Sequence, residues 1–101
     1  MNFGEILIEL QKGKVVRRKS WVRDFIVFMQ IPAVVDYENT WHMKSLPNDM
    51  KILCKQNKLG ITYRDQFIIY DMEDCIATYM NFDGEDINAD DWEVIDPFTY
   101  E

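Results

Sequence analysis

The sequence predicts an α+β fold, in which a short N-terminal helix packs on a mostly antiparallel sheet. Three observations predict it. The first ten residues carry apolar side chains at helical spacing, several later segments of four to eight residues are apolar or alternating as in strands, and turn residues separate them closely enough for hairpins. The chain has 101 residues, of which 48% are hydrophobic and 29% charged, a composition typical of a single small domain.

The first element is an amphipathic helix. Asn2 is a good N-cap and Glu5 stands three residues later, where a capping box needs it. Gly13 ends the helix, because glycine adopts the left-handed conformation common after a helix. The apolar stripe that must pack on another element consists of Phe3, Ile6, Leu7 and Leu10.

Two strands follow the helix. Val15 and Val16 begin the first, and the apolar run from Phe25 to Met29, which Pro32 closes, is the second. Five consecutive apolar residues indicate a strand covered on both faces, by the helix on one side and by a partner or ligand on the other. Residues 33–60 lack clean periodicity, so we expect loops with a short strand or turn there.

The C-terminal half is predicted to form a hairpin and a final strand. The segment from Ile61 to Met72 and the run from Cys75 to Phe82 fit two paired strands. Residues 86–91 form one helical turn in this interpretation, and residues 92–95 form the last strand. Trp92, within that strand, is expected to anchor the core.

Charge is unevenly distributed along the chain. The net charge is −7, yet residues 1–50 carry seven basic and six acidic side chains whereas residues 51–101 carry four and twelve. An acidic protein lacks the basic surface that polymeric nucleic acid requires, although a local anion site in the N-terminal half fits these numbers. No apolar run exceeds five residues, so we expect neither a membrane span nor a secretory signal.

The sequence offers few groups for catalysis or metal binding. Cys54 and Cys75 are far apart, and His42 is the single histidine, so a zinc site would lack clustered ligands. The acidic stretch around Gly84 does not fit the register of an EF-hand loop. Nucleophile, zinc-protease and phosphate-loop motifs are missing from the sequence. We therefore expect a protein that is not an enzyme and has no cofactor or metal.

One basic segment has the composition of a nucleotide site. Residues 12–23 contain six of the eleven basic residues, interleaved with Trp21, and thus offer cations for phosphate and a flat ring for a base. The alternative is a solvated strand edge whose charges discourage pairing between sheets. Because neighbouring strand residues face opposite sides, at most half of these charges can serve one pocket.

The motifs at the two ends of the chain together resemble a known family, the Thoeris anti-defense protein two family of phage signal sponges. The middle of the chain carries only a weaker match, around Ile61-Thr62-Tyr63. The resembling residues, in order, are Phe3-Gly4-Glu5, Leu10, Gly13-Lys14, Val16, Arg18, Trp21, Pro32 and Asp86-Ile87-Asn88-Ala89-Asp90-Asp91-Trp92-Glu93-Val94.

The resemblance implies a homo-oligomer, typically a tetramer, in the cytoplasm of the infected bacterial host. Such a protein binds a cyclic nucleotide immune signal in pockets between subunits and holds it without cleavage. The signals known for the family are glyco-cyclic ADP-ribose molecules of Thoeris and, for some members, cyclic oligonucleotides of CBASS. Residues 1–101 would then form a single ligand-binding domain, with neither polymeric nucleic acid nor a membrane as partner.

Six residues are candidates for the ligand site through this resemblance. Trp21 would stack on a base and Arg18 would contact phosphate. Asn81 and Asp86 would form hydrogen bonds with ribose hydroxyls or base edges. The remaining candidates, from the second strand and from the weaker match, are Phe28 and Tyr63.

Two other functions stay open at this point. Residues 83–101 carry eight acidic and no basic side chains, which fits an acidic inhibitor that binds a host defense protein. The second alternative is a nucleotide hydrolase whose catalytic groups are carboxylates. The sequence allows it because Asp and Glu are plentiful.

Overall fold

Four helices and seven strands occur within residues 1–99, the part of the chain that the computed structural model describes. Contacts divide the chain into two compact units, which we call the sheet unit (residues 1–30 and the chain from 66 onward) and the insert unit (residues 31–65). In chain order the elements are α1 (Phe3–Gln11), β1 (Val15–Arg18), β2 (Phe25–Gln30), β3 (Ala33–Val35), α2 (Tyr37–Thr40), α3 (Asn48–Asn57), β4 (Ile61–Tyr63), β5 (Gln66–Asp71), β6 (Ile76–Tyr79), α4 (Gly84–Asn88) and β7 (Trp92–Ile95).

The sheet unit contains a five-stranded sheet in the order β6-β5-β2-β1-β7, and its neighbouring strands are all antiparallel. The predicted α+β fold is thereby confirmed. The hairpin of β5 and β6 is also present, although β5 begins at Gln66 rather than Ile61. The long central pairing joins β2 to β5, from Phe25 opposite Asp71 to Gln30 opposite Gln66.

The capping chemistry of α1 matches the sequence prediction. The Glu5 backbone N–H donates to the Asn2 side-chain oxygen at 2.9 Å, and the Asn2 backbone N–H donates to the Glu5 carboxylate at 3.1 Å. Both bonds satisfy N–H groups that have no partner inside the helix. Gly13 follows the helix with φ +87°, a conformation that costs glycine little.

The core lies between α1 and one face of the sheet, which we call the closed face. Five side chains there are fully buried: Ile6, Leu10, Val16, Val27 and Trp92. The Trp92 ring lies edge-to-face against three aromatic neighbours, at centroid distances between 5.4 and 6.3 Å. Trp92 is thus the predicted core anchor.

The insert unit corrects the prediction that residues 33–60 are loops with a short strand or turn. The chain there forms β3, α2 and the ten-residue α3, and β3 pairs with β4. The helical pattern of α3 is weak, because the helix is mostly polar and only Met50, Leu53 and Cys54 stand at helical spacing. Met50, Ile52 and Leu53 are exposed. Cys54 is its buried residue, and Pro47 precedes it without a side-chain cap.

Two further boundaries differ from the sequence prediction. The segment from Ile61 to Met72 contains two strands rather than one, because β4 pairs within the insert unit and β5 within the sheet. The helical turn placed at residues 86–91 is α4, which begins at Gly84. It starts early because Asp83 caps it, accepting from the Asp86 backbone N–H at 2.9 Å.

Candidate ligand-binding site

The face of the sheet opposite the closed face keeps its apolar side chains accessible, and we call it the open face. Strand residues alternate between faces, so Val27 points into the core while its neighbours Ile26 and Phe28 lie on the open face. On β6 the open face carries Tyr79, whose surface is 63% exposed. The strand pairing therefore assembles an apolar surface from β2, β5 and β6.

A groove of about 600 Å³ lies on this open face, lined by Phe28, Gln30, Ile68, Ala77, Thr78 and Tyr79. Its volume falls within the range of about 300–1,000 Å³ that small-molecule sites occupy. Phe28 is paired with Ile68, and Ile68 with Tyr79, so these three side chains form one row across three strands. Thr78 is paired with Ile69, which lies opposite the buried Val27, so its side chain lies on the closed face. The lining side chains on the open face are therefore two aromatic rings, two aliphatic groups and one amide.

Arg18 lies at the end of β1, where three acidic side chains surround it. Its Nε donates to the Asp91 carboxylate at 2.9 Å, and its Nη1 donates to Asp86 at 3.2 Å and lies 3.5 Å from Glu85. Asp91 also accepts from the Ser20 backbone N–H at 3.0 Å. The hydrogen bond from Arg18 holds the pKa of the Asp91 carboxyl far below its usual range, against the opposing effect of desolvation.

Asp86 connects this ion-pair network to the core. Its carboxylate completes the cap of α4 by accepting from the Asp83 backbone N–H, at 3.2 Å. Its backbone carbonyl accepts from the Trp92 indole N–H at 2.9 Å, so the buried indole has a partner. The structure thus brings two of the predicted site residues, Arg18 and Asp86, together in one buried network. Their contacts with a ligand stay predictions.

Trp21 packs against the core on the closed face. Its ring lies edge-to-face against Trp92 at 5.4 Å and against Phe25 at 6.2 Å. Phe28 lies on the open face. Within one chain, Trp21 and Phe28, two of the three aromatic residues predicted to contact a ligand, therefore lie on opposite faces of the sheet. The stacking role of Trp21 stays a prediction.

Arginines of the basic segment form hydrogen bonds and ion pairs with other groups of the same chain. Arg17 is buried and donates to the Trp21 backbone carbonyl at 2.7 Å. Arg23 pairs with the β5–β6 turn through Asp71 at 2.7 Å and two further acids, Glu73 and Asp74. The alternative of a solvated strand edge is wrong for β1, because β1 lies between β2 and β7 and both Arg17 and Arg18 are buried. These arginines instead bind backbone and acidic groups of the chain itself.

The two remaining candidates lie elsewhere. Tyr63 is part-buried at the end of β4, in the insert unit, and pairs with Ala33. Asn81 is exposed and follows β6. Of the six predicted site residues, Phe28 lines the groove.

Sequence reasoning missed the other five lining residues of the groove. An aromatic residue such as Tyr79 is by default expected in a core or an interface, so the sequence does not single it out as a groove residue. The sequence signal for the groove was the apolar run of β2, which predicted that the second face of this strand is covered. This signal does not name the other residues on that face, because the register of β2 against β5 determines them.

Two searches of the described residues bear on other kinds of site. Within residues 1–99, no group of three or more His, Cys, Asp or Glu side chains is arranged to hold a metal ion. No helix in this part of the chain combines the length and the apolar character needed to cross a bilayer.

Comparison with protein families supports the resemblance that the motifs at the two ends of the chain carry. The family model for the Thoeris anti-defense 2-like domain matches residues 1–95, which covers both units. Comparison with individual curated proteins gives no match. A match over nearly the whole length shows that the chain is a member of the Thoeris anti-defense 2-like family.

Proposed function

We propose that this Thoeris anti-defense protein works by binding a cyclic nucleotide immune signal and holding it intact, away from its effector, in the cytoplasm of an infected bacterium. The groove on the open face is the observation that carries the proposal. It is concave, mostly apolar and walled by two aromatic side chains, with the Gln30 amide and the Tyr79 hydroxyl as groups that can orient a ligand.

The strength of binding that sequestration requires supports an oligomer. To hold a signal present at micromolar or lower concentration, the protein needs a binding free energy of about −8 kcal/mol or better. Stacking contributes about 1–3 kcal/mol per base, so a groove open to water on one side falls short of this affinity. A second copy laid over the open face would enclose the ligand and bury Tyr79. We therefore include a homo-oligomer, a tetramer as the family resemblance implies, in the proposal.

The chemistry of the groove favours binding over hydrolysis. Its six lining residues include no carboxylate, imidazole, thiol or amine, which are the groups that most often transfer protons in hydrolytic reactions. The acidic inhibitor is also less favoured than the sponge. Three of the acids in residues 83–101, Glu85, Asp86 and Asp91, pair with Arg18 within the chain.

The test is a retention experiment on the full chain. Purified protein is mixed with glyco-cyclic ADP-ribose isomers and cyclic di- and trinucleotides and filtered, and the retained fraction is heat-denatured and analysed by mass spectrometry. We expect one compound to disappear from the filtrate and return with unchanged mass. Return of a cleaved product would indicate a hydrolase. Retention of none of the compounds would overturn the proposal and leave the acidic inhibitor as the leading alternative.

A further inference from the structure

The five-stranded sheet ends in two outer strands, β7 and β6, whose outer edges differ. The edge of β7 is paired at its start by Met1. The Trp92 backbone N–H donates to the Met1 carbonyl at 3.1 Å, and the Met1 nitrogen donates to the Trp92 carbonyl at 2.8 Å. Among residues 1–99, no strand pairs with the outer edge of β6. An unpaired strand edge is a template on which a further strand can add.

The hydrogen bonds between β5 and β6 show which backbone groups face this outer edge. The Met80 N–H donates to the Phe67 carbonyl at 2.8 Å, so Met80 is bonded towards β5. Successive residues of an antiparallel strand turn their backbone groups to alternate sides. Thr78 is therefore also bonded towards β5, whereas Ala77 and Tyr79 turn their N–H and C=O groups outward. Each chain thus presents two donors and two acceptors along the edge of β6.

The strand β6 lacks the features that keep edge strands apart. Natural sheets protect an edge with charged side chains, proline or a bulge. Residues 75–82 contain no charged residue and no proline, although 29% of the chain is charged. The pairing of β6 with β5 runs without a break from Ile76 to Tyr79, and all four residues of β6 are exposed. The edge is therefore open to another strand.

The outward groups of β6 are complementary to those of a second copy of the same strand. In an antiparallel pair centred on Thr78, Ala77 of each copy lies opposite Tyr79 of the partner subunit. The two N–H and two C=O groups that each strand turns outward are then all bonded. A pair centred on Ala77 or on Tyr79 would bond only half of them within β6. The large Tyr79 side chain would lie beside the small Ala77 side chain, and the two Thr78 side chains would form a favourable cross-strand pair.

From these observations we infer that β6 is a self-association edge, at which two copies of this chain pair antiparallel about a two-fold axis at Thr78. Their two sheets would form one continuous sheet of ten strands. The inference rests on the homo-oligomer of the proposed function and adds an edge contact to the packing of open faces. A closed tetramer with dihedral symmetry needs more than one kind of two-fold contact. Because β6 also lines the groove, the open-face grooves of two copies would meet at this seam.

The first experiment uses the position of Thr78, which would lie opposite itself in the pair. Like charges directly opposite each other destabilise paired strands, so Thr78→Lys alone and Thr78→Glu alone should each halve the particle mass relative to the wild type. Mixing the two variants should restore the wild-type mass, because opposite charges then face each other. Sedimentation velocity on the full chain measures these masses. A monomeric wild type, wild-type mass in either variant alone, or no recovery on mixing would overturn the inference.

The second experiment tests the register by cross-linking. Opposed residues of a pair that is not hydrogen-bonded have Cα atoms about 4.5 Å apart, within the range of about 4.4–6.8 Å that a disulfide spans. Thr78→Cys should therefore form a disulfide-linked dimer on mild oxidation. The background is Cys75→Ser, since Cys75 is exposed and Cys54 is buried.

The matched control for the cross-link is Ile76→Cys in the same background. Ile76 is exposed on the same strand and on the same face as Thr78, but a pair centred on Thr78 places it opposite Met80 of the partner subunit. We expect at least tenfold less cross-linked dimer from this control. Equal cross-linking of the two cysteine variants would overturn the pairing about Thr78.

The retention experiment separates this inference from the proposed function. If the wild type retains a cyclic nucleotide while both Thr78 charge variants keep the wild-type mass, sequestration stands and the edge pairing is wrong. If the charge variants and the cross-link behave as expected while every cyclic nucleotide passes the filter, the edge pairing stands and sequestration is wrong. Thermal melts of each variant establish that the substitutions change assembly and not folding.

Discussion

The two faces of the five-stranded sheet use similar residues for different purposes. On the closed face, Val16, Val27 and Trp92 are completely buried beneath α1. On the open face, Phe28 and Ile68 come from the same strands or their direct neighbours, yet they line an accessible groove. The contrast shows that apolar character alone does not mark a core residue, because coverage by another element decides which apolar side chains stabilise the fold.

The closed face is also where polar contacts are satisfied. Arg18, Asp86 and Asp91 form ion pairs beside Trp92, and the indole donates to Asp86. The groove on the open face carries the Gln30 amide and the Tyr79 hydroxyl as its polar groups. One face is therefore organised for stability and the other is left available for binding, and substitutions on each face should separate these two properties.

The largest effect is expected from Trp92→Ala on the closed face. It removes a fully buried indole and leaves a cavity among Phe3, Phe82 and Trp21, so the free energy of unfolding should fall by about 3–5 kcal/mol. Urea denaturation followed by tryptophan fluorescence or circular dichroism measures this change. A loss below about 1 kcal/mol would contradict the role of Trp92 as the centre of the core.

A smaller loss is expected from Arg18→Met, which keeps the length of the side chain and removes its charge. Asp86 and Asp91 would lose their cation in a mostly buried position, and the free energy of unfolding should fall by about 2–3 kcal/mol. Lys19→Met is the matched control, since Lys19 is exposed on the adjoining position. Equal stability of the two variants in urea would show that the network adds nothing to the closed face.

Acid should weaken the closed face further. The pKa of Asp91 is lowered mainly by its hydrogen bond from Arg18, and the pKa of Asp71 mainly by its hydrogen bond from Arg23. A carboxyl whose pKa is lower in the folded state contributes stability above its ordinary value of 3.8, and this stability is lost as the pH falls below it. Stability should therefore be level from about pH 7 to 5 and decline below about pH 4.

The control for the acid experiment is Asp91→Asn, which removes one of the carboxyls that titrate. Its urea midpoint should be lower than that of the wild type at pH 7 and should fall less between pH 5 and 3. Parallel curves for the two proteins would show that the Arg18 and Asp91 pair does not contribute to the pH dependence.

The smallest effect on stability is expected from Tyr79→Ala on the open face. Tyr79 is largely exposed and lies outside the aromatic cluster of the core, so the free energy of unfolding should change by no more than about 0.5 kcal/mol. The same urea measurement tests it. A loss comparable to that of Trp92→Ala would mean that the open face is part of the core and would remove the contrast between the faces.

Much of the sheet unit followed from the sequence. The cap at Asn2 and Glu5, the end of the helix at Gly13, the strand at β2 and the last strand at Trp92 all depend on neighbours close in the chain. The residues that carry the family resemblance have a physical basis in this unit. Arg18, Asp86, Asp91 and Trp92 contact one another directly, so their presence in the sequence reflects the fold.

The insert unit and the groove were not predictable in the same way. The helix α3 is mostly polar, so the short helical pattern of Met50, Leu53 and Cys54 is too weak to predict it. Most of its apolar residues are exposed in the structure. The groove joins residues of β2 with residues of β5 and β6 that stand about 40 to 50 positions later. Its composition depends on the register between those strands, which local sequence does not encode.

The sequence by itself determined the fold class, the closed-face core and membership in the family. These depend on periodicity, capping and the motifs at the two ends, each of which involves only residues close together in the chain. Tertiary structure alone decided that Trp21 and Phe28 lie on opposite faces and that Phe28, Gln30 and Tyr79 share one groove. The physical reason is the two-residue period of a strand. A shift of one residue in pairing moves every side chain to the other face, so the site exists only once the strands are aligned.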